Sequence, residues 1–185
     1  MERMRDKVKA GAKGGLGAAL VALGSNLGDS AAIIRQAMER LREFSDQPIV
    51  CSSLWESEPV DCPPGSPKFI NAAVGLTPRA GETPETLLAK LQKLEAGFGR
   101  RPKRVHNEAR PLDLDLIAFG SETRATRELT LPHPRAHERR FVLQPLSEVA
   151  PDLVLAGQSK SVAELLLRLP PDENMRKLGS ARQRS

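Results

Sequence analysis

Residues 110–117 read Arg110-Pro111-Leu112-Asp113-Leu114-Asp115-Leu116-Ile117, a run in which leucine and aspartate alternate. Successive side chains of a strand point to opposite faces, so the run predicts a strand from Leu112 to Phe119. Its leucines share one face, while Asp113 and Asp115 share the other, about 7 Å apart along the strand. The sequence thus predicts two carboxylates side by side on one face of a sheet.

Strands and helices are interspersed on both sides of this segment. The apolar pattern predicts further strands over Ala19 to Leu23, Ile49 to Glu56, Phe69 to Thr77 and Arg127 to Leu131. Helical spacing and capping residues predict helices over Ser30 to Phe44, Pro84 to Gly97, Arg139 to Leu146 and onward from Ser161. The elements do not alternate strictly, which favours an α+β fold over a doubly wound parallel sheet.

Length and charge indicate one folded domain between two basic ends. The 185 residues suit a single domain, predicted over 19–170, with a flexible basic leader at 1–18 and a disordered basic tail at 171–185. The net charge of +5 comes from these ends, which leave 19 basic and 21 acidic side chains between residues 15 and 175. A nucleic-acid-binding domain would need a basic face on its folded part, so we expect no nucleic-acid partner.

The two cysteines and the hydropathy pattern point to the cytoplasm. Cys51 and Cys62 lack zinc-site spacing and are interpreted as free thiols of a reducing compartment. No stretch approaches the roughly 20 apolar residues that cross a bilayer, so we expect no membrane association. Gly14 to Gly24 resembles the apolar part of a signal peptide, but its four glycines favour a first strand after a leader.

The acidic pair has two interpretations, a metal site or a solvated face. Two ionised carboxylates so close together raise each other's pKa unless a cation compensates. Oxygen ligands of this kind suit Mg²⁺, which binds one or two carboxylates and shares its other positions with water and phosphate. The plainer alternative is an amphipathic strand whose acidic face is simply exposed to water.

The residues before the strand favour the metal interpretation. The segment from Arg100 to Arg110 is strongly basic, and arginine can bind phosphate oxygens in bidentate fashion. Phosphoryl transfer requires this combination of cations and positioning, with little covalent chemistry from the protein. Taken alone, the basic segment is better interpreted as a solvated run of charge.

Three further residues are candidates for a flat-ring pocket, and one for a nucleotide contact. Phe69 and Phe141 are either ordinary core residues or two faces of such a pocket, and Asn71 offers a donor and an acceptor to a heterocycle edge. His133, held between two prolines, is either a structural histidine or a hydrogen-bond partner for a phosphate or an adenine-side group.

Several of these motifs occur together in one known family. They are Ala22-Leu23-Gly24-Ser25-Asn26-Leu27-Gly28-Asp29, Phe69-Ile70-Asn71-Ala72-Ala73, Gly99-Arg100, the run from Arg110 to Asp115, Leu131-Pro132-His133-Pro134-Arg135 and Arg139-Arg140-Phe141-Val142-Leu143. In this order, from about Ala19 to Pro151, the chain resembles the 6-hydroxymethyl-7,8-dihydropterin pyrophosphokinases.

The resemblance implies a ferredoxin-like α+β fold, in which a mainly antiparallel sheet is covered by helices in a three-layer α/β/α arrangement. It implies that ATP and 6-hydroxymethyl-7,8-dihydropterin are the substrates, that AMP and the pterin diphosphate are the products, and that two Mg²⁺ ions take part. The pterin hydroxyl would attack the β-phosphorus of ATP directly, with Asp115 as the candidate to accept its proton. We expect a monomer that serves folate synthesis.

The resemblance also implies roles for individual residues. Asp113 and Asp115 match the metal ligands, and Arg100 and Arg110 match arginines that hold phosphates during catalysis. The ATP contacts would include Gln92, Glu95, His133 and Arg139. The pterin contacts would include Phe69, Phe141, Asn71 and the backbone from Ser57 to Val60.

The chain departs from the family pattern at five positions and leaves two other functions open. Pro102 replaces a second arginine, Asn107 and Glu108 replace Trp and Gly, Asp61 replaces a common Gly, and Ser57 replaces a Thr. These differences bear on loop closure more than on reaction type. The alternatives are another metal–nucleotide transferase with an Asp-x-Asp site and a ferredoxin-like RNA-binding module, which would need exposed aromatic residues on its sheet.

Overall fold

The alternating run forms a strand at the edge of the main sheet, as its pattern predicts. The computed structural model of the chain describes residues 18–100 and 108–179. Its strands are β1 (Ala19–Ser25), β2 (Val50–Cys51), β3 (Trp55–Ser57), β4 (Phe69–Leu76), β5 (Asp113–Phe119), β6 (Arg124–Ala125), β7 (Thr130–Leu131) and β8 (Arg176–Lys177). Its α-helices are α1 (Ser30–Leu41), α2 (Pro84–Gly97), α3 (Arg140–Val149) and α4 (Val162–Arg168).

The main sheet is antiparallel and has the order β5-β1-β4-β3-β8, with β2 also paired to β4. Alternate residues of β1 enter two separate cores. Val21 and Leu23 pack with α1, α2 and the leucine face of β5, whereas Leu20 and Ala22 pack with α3 and α4. The sheet therefore lies between two helical layers, which confirms the predicted three-layer α+β fold.

A bulge changes which side chains of β5 reach each core. The pairing of β5 with β1 slips between Leu20 and Val21, so that Leu116 faces the α1–α2 core while Ile117 and Ala118 face the α3–α4 core. Before the bulge the alternation is regular, and Leu114 lies on the α1–α2 side. Asp113 and Asp115 consequently lie on the opposite face, near the start of α3.

The helix caps follow the sequence closely. Thr83 and Ser161 each form a capping box with the residue three positions later, and Asp29 accepts a hydrogen bond from the Ala32 amide at 3.1 Å. These side chains satisfy backbone N–H groups that the first turn of a helix leaves without partners. No helix within residues 18–100 and 108–179 has the length and apolar character that crossing a membrane requires.

Two segments differ from the sequence prediction. The predicted strand from Ile49 to Glu56 is divided into β2 and β3, and between them the Ser53 backbone N–H donates to the side chain of Glu148 in α3 at 2.7 Å. Beyond Pro171, where no regular structure is predicted, Arg176 and Lys177 form β8 and pair with β3. The predicted leader up to residue 17 and residues 180–185 of the tail lie outside the described residues.

Candidate active site

One cleft of about 240 Å³ brings together most of the predicted site residues. It opens along the ends of β4 and β5 and continues into a smaller hollow of about 50 Å³ beside β1. Phe69, Asn71, Asp113, Asp115 and Phe141 line both spaces. The larger space is further lined by Ser57, Glu58, Val60, Cys62, Arg100, Arg110, His133 and Arg139.

Asp115 lies deep in this cleft. Part of its surface is accessible, but the surrounding protein removes most of its water. This burial, with the negative charge of Asp113 as the second cause, raises the pKa of Asp115 to about 6. Neighbouring cations, Arg139 first among them, act in the other direction. Burial and the charge of Asp113 thus both disfavour the ionised form of Asp115, and a further cation nearby would stabilise that form.

Asp113 is held by two arginines from different parts of the chain. Nη1 of Arg100 donates to Oδ1 at 2.7 Å, and Nη1 of Arg110 donates to Oδ2 at 3.2 Å. Each oxygen thus accepts a charge-assisted hydrogen bond. The arrangement places two guanidinium groups at the rim of the acidic pair.

Glu95 fixes this cluster to the end of α2. Its buried carboxylate accepts a hydrogen bond from the Leu114 amide at 2.6 Å and contacts the guanidinium of Arg100. Burial is the main reason that the pKa of Glu95 rises to about 7, against the opposing effects of these two partners. Glu95 therefore contacts the strand between the two aspartates, beneath one of the arginines.

His133 and Arg139 form the opposite side of the cleft. The His133 amide donates to the Ile117 carbonyl at 2.9 Å, and its Nδ1 accepts from the Arg135 amide at 3.3 Å. Burial, followed by the positive charge of Arg139, lowers the pKa of His133 below its usual value, which favours the neutral ring. The Arg139 guanidinium lies 5.5 Å from the centre of the Phe141 ring.

The aromatic end of the cleft is arranged by hydrogen bonds to Asn71. Its buried Nδ2 donates to Ser57 Oγ at 2.8 Å and to the Trp55 carbonyl at 3.3 Å. Phe69 and Phe141 are both partly exposed and line the same hollow, and Phe141 also packs against the α3–α4 core. Gly24 completes the floor: a Cβ there would lie 3.7 Å from Phe69 and 3.8 Å from Asn71 Oδ1.

The sequence pattern of the family described as 7,8-dihydro-6-hydroxymethylpterin-pyrophosphokinase (HPPK) matches residues 20–151. This chain belongs to the HPPK family. Two relatives are named 2-amino-4-hydroxy-6-hydroxymethyldihydropteridine pyrophosphokinase. The Methylorubrum extorquens protein is 37% identical over 83% of this chain and 94% of its own length. The Haemophilus influenzae protein is 36% identical over 86% of this chain and 97% of its own length.

Solved structures show the same fold. A Plasmodium falciparum HPPK-DHPS structure with SDX-DHP superposes with a TM-score of 0.68 at 13% identity, over 87% of this chain and 47% of that one. Another HPPK-DHPS structure, in complex with substrates, has a TM-score of 0.66 at 11% identity, over 87% and 46% of the two chains. This chain thus spans about half the length of those structures, and at such identities the likeness concerns the fold.

Two of the predicted HPPK site residues do not line the cleft. Gln92, an expected ATP contact, is exposed on α2, and Glu95 is buried against Leu114 and Arg100. Among the positions that depart from the family pattern, Pro102 and Asn107 lie outside the described residues, while Asp61 has a φ of 54° and lies 3.5 Å from Arg135.

Sequence reasoning did not assign a role to Asn26 or Gly24. Buried Asn26 binds Arg110, just before β5, twice. Its side-chain Oδ1 accepts from the backbone N–H of Arg110 at 2.9 Å, and its backbone N–H donates to the Arg110 carbonyl at 3.2 Å. Both residues lie in the opening octet, which the resemblance singled out. The resemblance therefore pointed to this stretch, but the sequence does not show which distant residues contact Asn26 and Gly24.

Proposed function

We propose that this chain transfers the terminal diphosphate of ATP to 6-hydroxymethyl-7,8-dihydropterin, giving AMP and the pterin diphosphate for folate synthesis. The observation that supports this most directly is that the aromatic hollow and the acidic pair share a wall. Asp113 and Asp115 line both the hollow next to Asn71 and the wider cleft that contains the arginines. A flat-ring alcohol and a polyphosphate would therefore meet at these carboxylates.

The aromatic hollow suits the pterin. Phe69 and Phe141 offer ring surface, and rings of this type favour offset or edge-to-face arrangements with a bound heterocycle. Asn71 is oriented by Ser57 and by the Trp55 carbonyl, so its amide is fixed before any ligand arrives. Because these two partners take both hydrogens of Nδ2, the side chain presents its Oδ1 as an acceptor to a pterin edge. Ser57, Glu58 and Val60, in the segment expected to contact the pterin, line the wider cleft that adjoins this hollow.

The wider cleft suits the phosphates of ATP. Arg100, Arg110 and Arg139 line it together with neutral His133. Arginine binds phosphate oxygens with a planar fork, and such cations stabilise charge that develops during transfer. We assign Arg100 and Arg110 to the transferred phosphates, and His133 and Arg139 to the remaining nucleotide contacts. Glu95 would then act by holding Arg100, and Gln92 would reach the nucleotide only at the rim of the cleft.

The residues present fit magnesium. Two carboxylates on one strand, with an elevated pKa at Asp115, form the oxygen-rich and under-compensated pair that this ion favours. We propose that Asp113 and Asp115 hold two Mg²⁺ ions, which would neutralise phosphate charge and orient the reacting oxygens. Binding there would compete with Arg100 and Arg110 for Asp113, and would free both guanidinium groups for phosphate.

The transfer itself needs few protein groups. The hydroxymethyl oxygen of the pterin forms a bond to the β-phosphorus of ATP, while the bond from that phosphorus to the bridging oxygen of AMP breaks. The hydroxyl proton leaves to Asp115 or to water. Arg100 and Arg110 balance the charge on the diphosphate as it moves, and the walls of the hollow keep the pterin oxygen in line. We propose that the active species is a cytoplasmic monomer.

The first test is AMP release from ATP and magnesium, with and without 6-hydroxymethyl-7,8-dihydropterin. Wild type is expected to form AMP only when pterin is present, and chelation of magnesium should stop the reaction until the ion is restored. The double variant Asp113→Ala/Asp115→Ala should form none. Asp46→Ala/Asp152→Ala removes two exposed carboxylates elsewhere and should match wild type.

No AMP from a folded, magnesium-replete wild type would contradict the proposal. Pterin-independent turnover of ATP would favour a different metal–nucleotide transferase. Salt-sensitive binding of RNA without turnover would favour a binding module.

A further inference from the structure

The last strand of the described chain contacts the aromatic side of the cleft through one carboxylate. β8 lies beyond residues 20–151, which match the family, and it pairs with β3, which leads into Ser57. Lys177 Nζ lies 3.2 Å from Oε1 of Glu148, near the end of α3, and 5.7 Å from the centre of the Trp55 ring. A segment outside the family pattern therefore touches the back of a pocket wall.

The Glu148 carboxylate contacts Ser53 and Trp55 around the start of β3, and Lys177 on β8. Its Oε2 accepts from the Ser53 amide at 2.7 Å, and its Oε1 accepts from Trp55 Nε1 at 3.1 Å. Burial alone would raise the pKa of Glu148, but the hydrogen bonds from Ser53 and Lys177 outweigh it and lower the pKa. The side chain is thus a carboxylate whose acceptor sites are occupied by Ser53, Trp55 and Lys177.

These contacts connect the two walls of the hollow. Trp55 and Ser57, on β3, provide the carbonyl and the hydroxyl that orient Asn71. Phe141, on the other wall, lies in the same helix as Glu148, seven residues earlier and so on a similar side. The carboxylate of Glu148 consequently joins the helix that carries Phe141 to the strand that orients Asn71.

We propose that Glu148 is a positioning residue for the pterin, and that Lys177 of β8 keeps its carboxylate in place. The proposal rests on the assignment of the aromatic hollow to the pterin. It adds a role for a segment beyond the family pattern. Loss of Glu148 would let β3 move relative to α3, and Asn71 would lose the fixed orientation that a heterocycle edge requires.

The test is a set of four variants compared by steady-state kinetics and pterin titration. Glu148→Ala should raise the KM for the pterin about tenfold, because Ser53 and Trp55 lose their acceptor, while the KM for ATP stays within twofold. Glu148→Gln keeps one acceptor oxygen and should recover part of the loss. Lys177→Met should give a smaller increase. Arg176→Met is the control, because Arg176 also lies on β8 but pairs with Glu56 and not with Glu148. Its KM values for pterin and ATP should match those of wild type.

Trp55 provides a second readout, since it is the only tryptophan in the chain. Its emission reports the β3 wall directly, and pterin titration of the fluorescence measures binding without turnover. Glu148→Ala should change the emission maximum and weaken binding by the same factor as KM. Thermal unfolding of each variant shows whether the fold is intact at the assay temperature.

Equal losses in pterin and ATP parameters, or an unchanged pterin affinity in folded Glu148→Ala, would overturn the proposal. If Glu148→Ala does not fold, Glu148→Gln and Lys177→Met are compared with Arg176→Met for the same difference between the KM values for pterin and ATP. A wild type that binds pterin but releases no AMP would contradict the proposed reaction and leave the positioning role open to measurement by titration.

Discussion

The two sides of the cleft are held together by different kinds of interaction. On the pterin side, buried Asn71 donates to buried Ser57 and to a strand carbonyl, all neutral groups fixed by the sheet. On the nucleotide side, Asp113 is held by Arg100 and Arg110, whose charged groups are partly exposed to water. Breaking a neutral buried bond leaves a polar group without a partner, whereas an arginine that exchanges a carboxylate for a phosphate keeps an anionic partner.

This difference predicts how the sides respond to substrate. Hydrogen bonds to Ser57 and Trp55 already hold Asn71 in place, so we expect a pterin bound as proposed to require little rearrangement of this wall. The arginines, in contrast, contact a carboxylate that we assign to magnesium, so they must turn from Asp113 toward phosphate. Substitutions on the pterin side should therefore act on pterin affinity, and those on the nucleotide side should act on the rate of transfer.

The largest effect is expected at Arg110. Arg110→Ala removes a cation that balances developing charge, and kcat should fall by about 10²–10³-fold while pterin affinity is nearly unchanged. Arg124→Ala, which removes a guanidinium that pairs with Glu85 and Glu122 away from the cleft, is the matched control. A normal kcat with an increased KM for the pterin would contradict the expectation that substitutions on the nucleotide side act on the rate of transfer.

The next effect concerns Asn71. Asn71→Ala deprives the pterin edge of its amide and leaves Ser57 without its buried partner, so the KM for pterin should rise about 10–100-fold. The KM for ATP should stay close to the wild-type value. Exposed Asn174→Ala serves as the control for loss of an amide. An equal rise in both KM values would show that the wall is not specific to the pterin.

A smaller effect is expected at Gly24, which tests the shape of the hollow. In Gly24→Ala the new methyl would lie in ordinary contact with Phe69 and Asn71, so folding should be preserved. Because the methyl occupies ligand space, pterin affinity should fall about tenfold. Gly97→Ala adds a methyl to open space at the end of α2 and is the control. Unchanged affinity in the Gly24 variant would place the ring elsewhere in the cleft.

The smallest effect is expected far from either side. Ser161→Ala removes the cap of α4 and should cost about 1 kcal/mol of unfolding free energy. In a chain of this length that corresponds to a decrease of about 2–4 °C in Tm, measurable by calorimetry. Both KM values should stay at wild type. A change in pterin KM here would mean that general destabilisation, and not a local wall, governs pterin binding.

The sequence predicts the features of this molecule that depend on neighbouring residues. The alternation around Asp113 and Asp115 is visible because side chains in a strand repeat every second residue, and the caps at Thr83 and Ser161 need only a partner three positions later. The sequence alone therefore predicts that two carboxylates lie on one face of a strand, next to a basic segment.

The rest of the site depends on partners that are distant in the chain. Asn26 binds Arg110 across 84 positions, and Ser53 binds Glu148 across 95. The sequence around one residue of such a pair gives no indication of its distant partner. Phe69 and Phe141 were ambiguous for the same reason, since only the packed layers show that both border a cleft. The sequence did not predict that Arg176 and Lys177 form a strand, because both residues of β8 are exposed and show no apolar pattern.

The pairing of β3 with β8 sets an order of events during protein synthesis. Arg176 and Glu56 are 120 positions apart, so most of the chain must leave the ribosome before the pair can close. Until then the outer edge of β3 presents free backbone groups, which nascent chains commonly use for faulty pairing. The central strands can already pair during this interval. Among the strand pairs of the described residues, the pair of β3 and β8 is therefore the last that translation allows to form.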